Sequence, residues 1–402
     1  MTERHLPRWS EISRFVGPSL SRTTVDRLAR VRTVDDFARL ARKRAPRSVF
    51  DYVDGGAERE VAMAASTRAF DEVVFHPKVM RDVSVVSTQA TVLGRPVPLP
   101  VVLGPTGFTR MMHAEGEPAV ARAAARAGLP YTLSTMGTTS IEKLPRDGDR
   151  WFQLYLWKDR ARSTELVERA ADAGYSTLVL TVDVPVAGGR FRDTYNGLTM
   201  PPTLSPRTLA NMATKPRWVF DALTTDPLAF ESLGDAEDVM ALINTVFEPA
   251  VTPSDVEWLR SVWPGKLVVK GIQRVDDAKL AVASGADGIA VSNHGGRQLD
   301  RSVTPLELLP PVVDALGGAA EVYLDGGVRS GADVAAAVAF GATAAFVARP
   351  YLYALMAAGE RGVDRLLQIL HDDYVRTLAL LGVTSTAELD RDLVTLRTGR
   401  PA

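Results

Sequence analysis

The chain contains no cysteine. That absence excludes disulfides, iron–sulfur clusters, thiolate zinc sites and a cysteine nucleophile together. A charge excess is missing too: 47 Lys and Arg stand against 48 Asp and Glu, for a formal net charge of -1. No global field draws in nucleic acid or another polyanion, so neither is expected as a partner. Long apolar runs are absent. The most apolar stretch, Val334 to Ala348, is short, rich in small residues and bracketed by Asp333 and Arg349. It predicts a buried helix and strand rather than a membrane span. The N-terminus lacks the apolar segment of a secretory leader. The expected location is cytoplasmic, with a peripheral seat on the inner face of the membrane as the alternative. No two glycines lie two positions apart, so G-x-G-x-x-G is missing, and so is a GK[ST] phosphate loop. No metal site is expected.

What is present is an ordinary soluble composition, 46% apolar and 24% charged. A length of 402 residues exceeds one typical domain, yet an α/β barrel takes it as a single unit. Residues 1–32 are polar and basic and read as an arm; 33–402 read as the barrel domain. Thr33 with Asp36 forms a capping-box pattern, and Val34, Phe37, Leu40 and Ala41 then share a helical face. Pro46 interrupts, and a second short helix through Val49, Phe50 and Val53 stops at Gly55-Gly56.

From Leu99 onward one unit recurs: a short apolar run, a polar or glycine-bearing tip, then an Ala-rich helical segment. The runs are PVVLGPTG, LPYTLST, RWFQLY, TLVLTVD, KLVVKG, DGIAVSNHGG, EVYLDGG and TAAFVARP. Continuous rather than alternating hydrophobicity predicts parallel strands buried on both faces. Eight such units in a row predict a (β/α)8 TIM barrel with an N-terminal helical segment. One spacing is abnormal, between Asp183 and Lys266. Thr252 to Trp263 accounts for the expected helix, leaving an insertion after strand 4 over roughly 186–250, with Pro201-Pro202, Pro206, Trp218 and Phe220 inside it. It reads first as a structured excursion packed on the barrel or on another subunit. The alternatives are a lid, or a surface for a membrane or electron acceptor.

Catalytic groups in such barrels sit at the C-terminal strand ends. Here those ends carry Thr106, Ser134, Gln153, Tyr155, Thr181, Asp183, Lys270, Ser292, His294, Arg297, Asp325, Arg329 and Arg349. Structural demands alone call for small or turn-forming residues at these tips. They do not call for a lysine, a histidine and several arginines, whose desolvation is costly. Taken singly, each has a bland explanation. A lone His is more often structural, Asp183 could cap a loop, Lys270 could belong to an ion pair and Tyr52 could be a buried aromatic.

The segments FDYVDGGAE, GPTGF, HAEGE, FQLY, TVDVP, LVVKG, SNHGGRQLD, LDGGVRSG and ARP follow one another between about Val34 and Gly382. In this set and order the chain resembles the FMN-dependent L-2-hydroxy acid dehydrogenase/oxidase family, and most of all its actinobacterial lactate-dehydrogenase-like branch. The resemblance implies FMN as cofactor and a small 2-hydroxy acid as substrate, lactate-like as first choice. It implies His294 as the base, Asp183 as its ionic partner and Tyr155 as the hydrogen-bond partner of the reacting oxygen. Tyr52, Arg190 and Arg297 would hold the substrate carboxylate. Lys270 would lie against the flavin N1–O2 edge. Pro105, Thr106 and Gly107 would meet the flavin, and Ser134, Gln153, Thr181 and Ser292 would satisfy its ring and ribityl atoms. Asp325, Gly326, Gly327, Arg329, Ala348 and Arg349 would form the phosphate end.

Three departures from the family pattern stand out: Gly107 where alanine is frequent, Met136 where an aromatic is common in relatives, and Ala348 beside Arg349. The first two leave open a larger aromatic or peptide-linked hydroxy acid as substrate. A non-catalytic FMN-binding barrel ranks last, because His294, Lys270 and Arg297 are all present. The resemblance implies that His294 takes the hydroxyl proton as the C2 hydrogen moves to flavin as hydride, or that the same His first takes the C2 proton and leaves a carbanion whose electrons then pass to flavin. A quinone, another carrier or oxygen then takes the electrons. The resemblance also implies a homotetramer.

Overall fold

The computed structural model of the chain describes residues 28–197, 206–225 and 247–397. The arm up to residue 27 and the Pro201-Pro202 pair lie outside the described residues. The chain divides into two compact units at Arg32–Thr33, and the architecture below is that of the second.

Eight parallel strands close into a barrel. They are β1 (Val101–Leu103), β2 (Tyr131–Ser134), β3 (Arg150–Leu154), β4 (Thr177–Thr181), β5 (Lys266–Ile272), β6 (Gly288–Ser292), β7 (Glu321–Asp325) and β8 (Ala344–Val347). Each falls within one of the eight apolar runs, except that β5 extends one residue past its run, to Ile272. All residues of β1 to β4, β6 and β8 are buried, which is why their sequences do not alternate. Closure is made by β8 against β1, with Ala345 opposite Val101 and Val347 opposite Leu103. The predicted helix Thr252 to Trp263 is found as Pro253–Val262, capped by a Thr252–Asp255 box. The stretch 334–348 is the buried helix and strand expected of it.

Only one end of this barrel is open to chemistry. Trp151, Tyr323 and Phe346 fill its N-terminal half, with ring centroids 5.7–6.1 Å apart in edge-on contacts. A hairpin of Ala90–Val92 and Arg95–Val97 then stoppers that end, and its Val92 and Val97 belong to the same core. Nothing in the apolar patterning singled out this hairpin.

The C-terminal end is covered by three helices: α1 (Val34–Arg44), α2 (Arg47–Asp54) and α3 (Val61–Asp71). The Thr33–Asp36 capping box starts α1 as predicted, and α2 buries Val49, Phe50 and Val53. The Gly55-Gly56 turn reaches the barrel because a side chain cannot fit there. A Cβ on Gly56 would lie 2.8 Å from the Gly296 carbonyl oxygen, and Ala57 N donates to that same oxygen at 2.8 Å.

The insertion leaves after β4 through a short helix, α4 (Phe191–Tyr195), and its described remainder includes α5 (Pro206–Ala213) and α6 (Pro216–Thr224). These are fastened to their own chain. Lys215 Nζ donates to the carbonyls of Arg42 and Lys43, Arg47 N donates to Asn211 Oδ1 and Trp218 Nε1 donates to Met111 O. Phe220 and Leu223 instead face solvent, 65% and 80% exposed.

Candidate active site

A cavity of about 570 Å³ opens at the C-terminal end of the barrel. At its centre is the turn after β6. His294 adopts φ 57°, a left-handed conformation unusual for a side-chain-bearing residue. Its backbone N–H is held by Ser292 Oγ at 3.0 Å. His294 Nδ1 pairs with Asp183 Oδ1 at 2.9 Å, and Nε2 lies 3.5 Å from the Tyr155 hydroxyl. Asp183 sits fully buried behind the imidazole, and Gly271 makes room for it. A Cβ on Gly271 would come within 2.7 Å of the Asp183 side chain. Burial alone would raise the Asp183 carboxyl, but the charge and hydrogen bond of His294, with Lys270 behind, hold it below its ordinary value. An ionised carboxylate thus stands directly against the imidazole Nδ1. Tyr155 is pushed far above the ordinary phenol range by burial first and Asp183 second, so its proton stays on.

Beside this pair lies a cationic corner. Arg297 Nη1 donates to the carbonyls of Tyr52 and Gly55 at 2.7 and 2.9 Å. The guanidinium carbons of Arg190 and Arg297 lie 4.9 and 5.0 Å from the centre of the Tyr52 ring. Burial and the neighbouring Arg190 push the Arg297 guanidinium below its ordinary value. Two buried cations on one aromatic ring form a pocket that favours an anion.

A second polar group lines the wall below. Lys270, 4% exposed, pairs with Asp325 Oδ2 at 2.8 Å and reaches Ser292 Oγ at 3.2 Å. Burial opposes its charge, and Asp325 and Asp183 more than offset this, keeping the ammonium protonated. Next to it, Thr181 Oγ1 and Gln153 Nε2 are buried with no hydrogen-bond partner among the described residues. Such orphans in a cavity wall call for a polar ligand. At the far end Gly326 and Gly327 hold φ 120° and 86°, and a Cβ on Gly327 would strike the Ser66 carbonyl. Arg329 and Arg349 flank them in the cavity. Burial, followed by the charge of Arg297, pushes the Arg349 guanidinium down to about 10. It donates to the carbonyls of Val53, Gly295 and Gly55, and no carboxylate neutralises it directly. Orphan polar atoms, a glycine cradle and two arginines, of which Arg329 pairs only with the exposed Asp35 at 3.8 Å, fit a polar, phosphate-bearing cofactor such as FMN.

Most of the residues picked from the sequence meet here. Tyr52, Pro105, Thr106, Gly107, Ser134, Tyr155, Thr181, Arg190, Lys270, His294, Arg297, Asp325, Gly326, Gly327, Arg329, Ala348 and Arg349 all line the cavity. Asp183, Gln153 and Ser292 stand one layer behind the surface. For Ser292 this changes the expected role. Its hydroxyl donates to Asp325 and accepts from Lys270 and the His294 amide. It is spent within the protein and orders three neighbours instead of meeting a ligand. Gln153 Oε1 is likewise occupied by Ser134 Oγ at 2.8 Å, leaving only its Nε2.

Among the cavity residues that escaped the sequence reading, two come from the insertion. Phe247 stacks on Tyr155, ring centroids 4.8 Å apart, and also touches Trp157. Asp193 lies 3.3 Å from Arg190 Nε. Both sit in or at the end of the insertion, which has no strand register to locate them. Gly107 is close-packed as well. A Cβ there would lie 2.9 Å from Met136 Cβ and 3.2 Å from Met136 O.

Residues 41–396 match the family model described as FMN-dependent dehydrogenase. A Mycobacterium tuberculosis protein provisionally named L-lactate dehydrogenase is 50% identical over 399 residues, 98% of this chain and 96% of its own length. The L-lactate dehydrogenase of Caulobacter vibrioides is 40% identical over 380 residues, 92% of this chain and 99% of its own. Among solved structures, that of the monotopic membrane protein (S)-mandelate dehydrogenase superposes with a TM-score of 0.88 at 39% identity, covering 92% of this chain and 100% of that one. A mandelate oxidase crystallised with a difluorinated hydroxyphenylpropionic acid gives a TM-score of 0.79 at 38% identity, over 92% and 100% of the two chains.

Proposed function

The chain belongs to the FMN-dependent dehydrogenase family, and from that premise we propose that it oxidises an L-2-hydroxy acid to the 2-oxo acid, with His294 as the proton acceptor. The observation that carries this is the His294–Asp183 pair at 2.9 Å, opening on a cavity whose next feature is the Arg190–Arg297 corner. A 2-hydroxy acid needs both at once: a base for the hydroxyl and cations for the carboxylate.

Arg297, Arg190 and Tyr52 bind and orient the carboxylate. His294 Nε2 faces the cavity beside the Tyr155 hydroxyl and takes the substrate hydroxyl proton. Asp183, kept ionised, stabilises the imidazolium. Tyr155 stays protonated and donates to the reacting oxygen. Lys270, Thr181 and Gln153 would hold the polar edge and chain of FMN, and Gly326, Gly327, Arg329 and Arg349 its phosphate end. Bound there, FMN would supply the two-electron acceptor for the electrons that leave C2, as hydride or after carbanion formation. A quinone, another carrier or oxygen takes them onward.

Lactate-like acids are the first substrates to test, in keeping with the relatives' names. A second reading, a bulkier aromatic hydroxy acid, is favoured by the apolar wall of Met136, Phe108, Val184 and Phe247 and by the mandelate enzymes among the structural relatives. Among the described residues no helix is long and apolar enough to cross a membrane. A peripheral seat on the membrane is supported by exposed Phe220 and Leu223 on α6 and by the monotopic relative. A homotetramer completes the proposal.

The test is His294→Ala. The variant keeps its FMN and its yellow colour but loses anaerobic bleaching by the substrate, by at least about a hundredfold in rate. Bleaching at the wild-type rate removes His294 from the mechanism.

A further inference from the structure

The cationic corner contains one carboxylate to which the proposed chemistry gives no task. Asp193, in the first turn of α4, is 9% exposed and lines the cavity. Its Oδ2 lies 3.3 Å from Arg190 Nε, yet this oxygen has no hydrogen-bond partner among the described residues. Burial raises its carboxyl above the ordinary value, and the charges of Arg190 and Arg297 offset only part of that rise. Two buried guanidiniums therefore face one resident anion before any ligand enters. A substrate carboxylate brings the corner to two against two, and a product carboxylate does the same.

We propose that Asp193 is a positioning and affinity-setting residue: it aims Arg190 into the cavity and, by sharing the field of both arginines, weakens their hold on substrate and product carboxylates so that the 2-oxo acid can leave. The inference rests on the reading of Arg190 and Arg297 as the carboxylate site. Substrate and product carry the same carboxylate, so a stronger grip acts on both. It lowers KM while slowing release, and release commonly limits turnover. Asparagine keeps the shape and an amide oxygen at the helix start but removes the competing charge.

The experiment is a titration of the FMN-loaded enzyme with oxalate, a carboxylate with no C–H bond to oxidise, followed by the flavin absorbance or by calorimetry. For Asp193→Asn the oxalate dissociation constant is expected to fall about fivefold or more. KM falls with it, inhibition by the 2-oxo acid strengthens, and the gain vanishes when Arg190→Met is added. Oxalate binding to Asp193→Asn that equals or is weaker than wild type overturns the proposal. Asp193→Ser gives the same readout if the Asn variant fails to retain FMN. Failure of the wild type itself to bind oxalate overturns the carboxylate-site reading, and this inference falls with it.

Discussion

At the scale of single residues, the active end is governed by what glycine permits. Gly271 admits Asp183 behind His294, and Gly107 admits Met136 beside the cavity floor. The Gly107 pairing makes a prediction. A Cβ at 107 would press on the Met136 Cβ and carbonyl, not on the end of a flexible side chain. Gly107→Ala is therefore expected to destabilise the enzyme by about 1–3 kcal/mol, read as a lowered denaturation midpoint. Met136→Ala should not absorb this strain, because the Met136 Cβ and backbone remain. Additive single and double substitutions in a denaturant cycle bear this out; a double variant as stable as Met136→Ala alone contradicts it. His294, Lys270 and Arg297 were legible from the sequence because charged or titratable groups at the tips of buried strands need a reason. Asp193 and Phe247 were not legible. A carboxylate in a polar insertion and an aromatic at its end resemble any surface loop until the fold sets them against Arg190 and Tyr155.

At the scale of elements, three segments far apart in sequence build the cationic corner, Arg297 coming from the turn after β6. Tyr52 comes from α2 and Arg190 from the start of α4. Arg192 joins them, pairing with Asp54 at 2.8 Å and Glu60 at 2.5 Å, and Asn196 Nδ2 adds a bond to Asp51 Oδ2. Arg192 is absent from the cavity lining, so it acts through position. Arg192→Leu is expected to raise KM for the hydroxy acid roughly three- to tenfold by loosening Arg190 against Tyr52. FMN content and single-turnover bleaching at saturating substrate should remain near wild type. A loss of kcat with KM unchanged would show that the clamp serves something else. The eight strands were readable because each is a continuous apolar run bounded by turn residues. The stoppering hairpin at 90–97 and the pairing of Val73–Phe75 with Val394–Leu396 were not. Strands that short carry too few residues for a period, and the second pairing joins opposite ends of the chain.

At the scale of the whole molecule, the barrel is asymmetric in a way that assigns tasks. One end is stoppered by aromatic rings and a hairpin and serves stability. The other gathers the His294–Asp183 pair, the Arg190–Arg297 corner and the polar wall around Lys270 under three helices contributed by the N-terminal segment. The insertion carries Arg190 near its start and Phe247, stacked on Tyr155, near its end, so both of its ends reach the cavity while Phe220 and Leu223 between them face solvent. The central claim is that the FMN-loaded protein draws two electrons from an L-2-hydroxy acid. Anaerobic mixing of the wild-type holoenzyme with a panel of L- and D-2-hydroxy acids, from lactate to mandelate, tests it directly. The account predicts bleaching of the flavin by at least one L acid and none by its D enantiomer. A flavin that stays fully oxidised with every acid of the panel would contradict it.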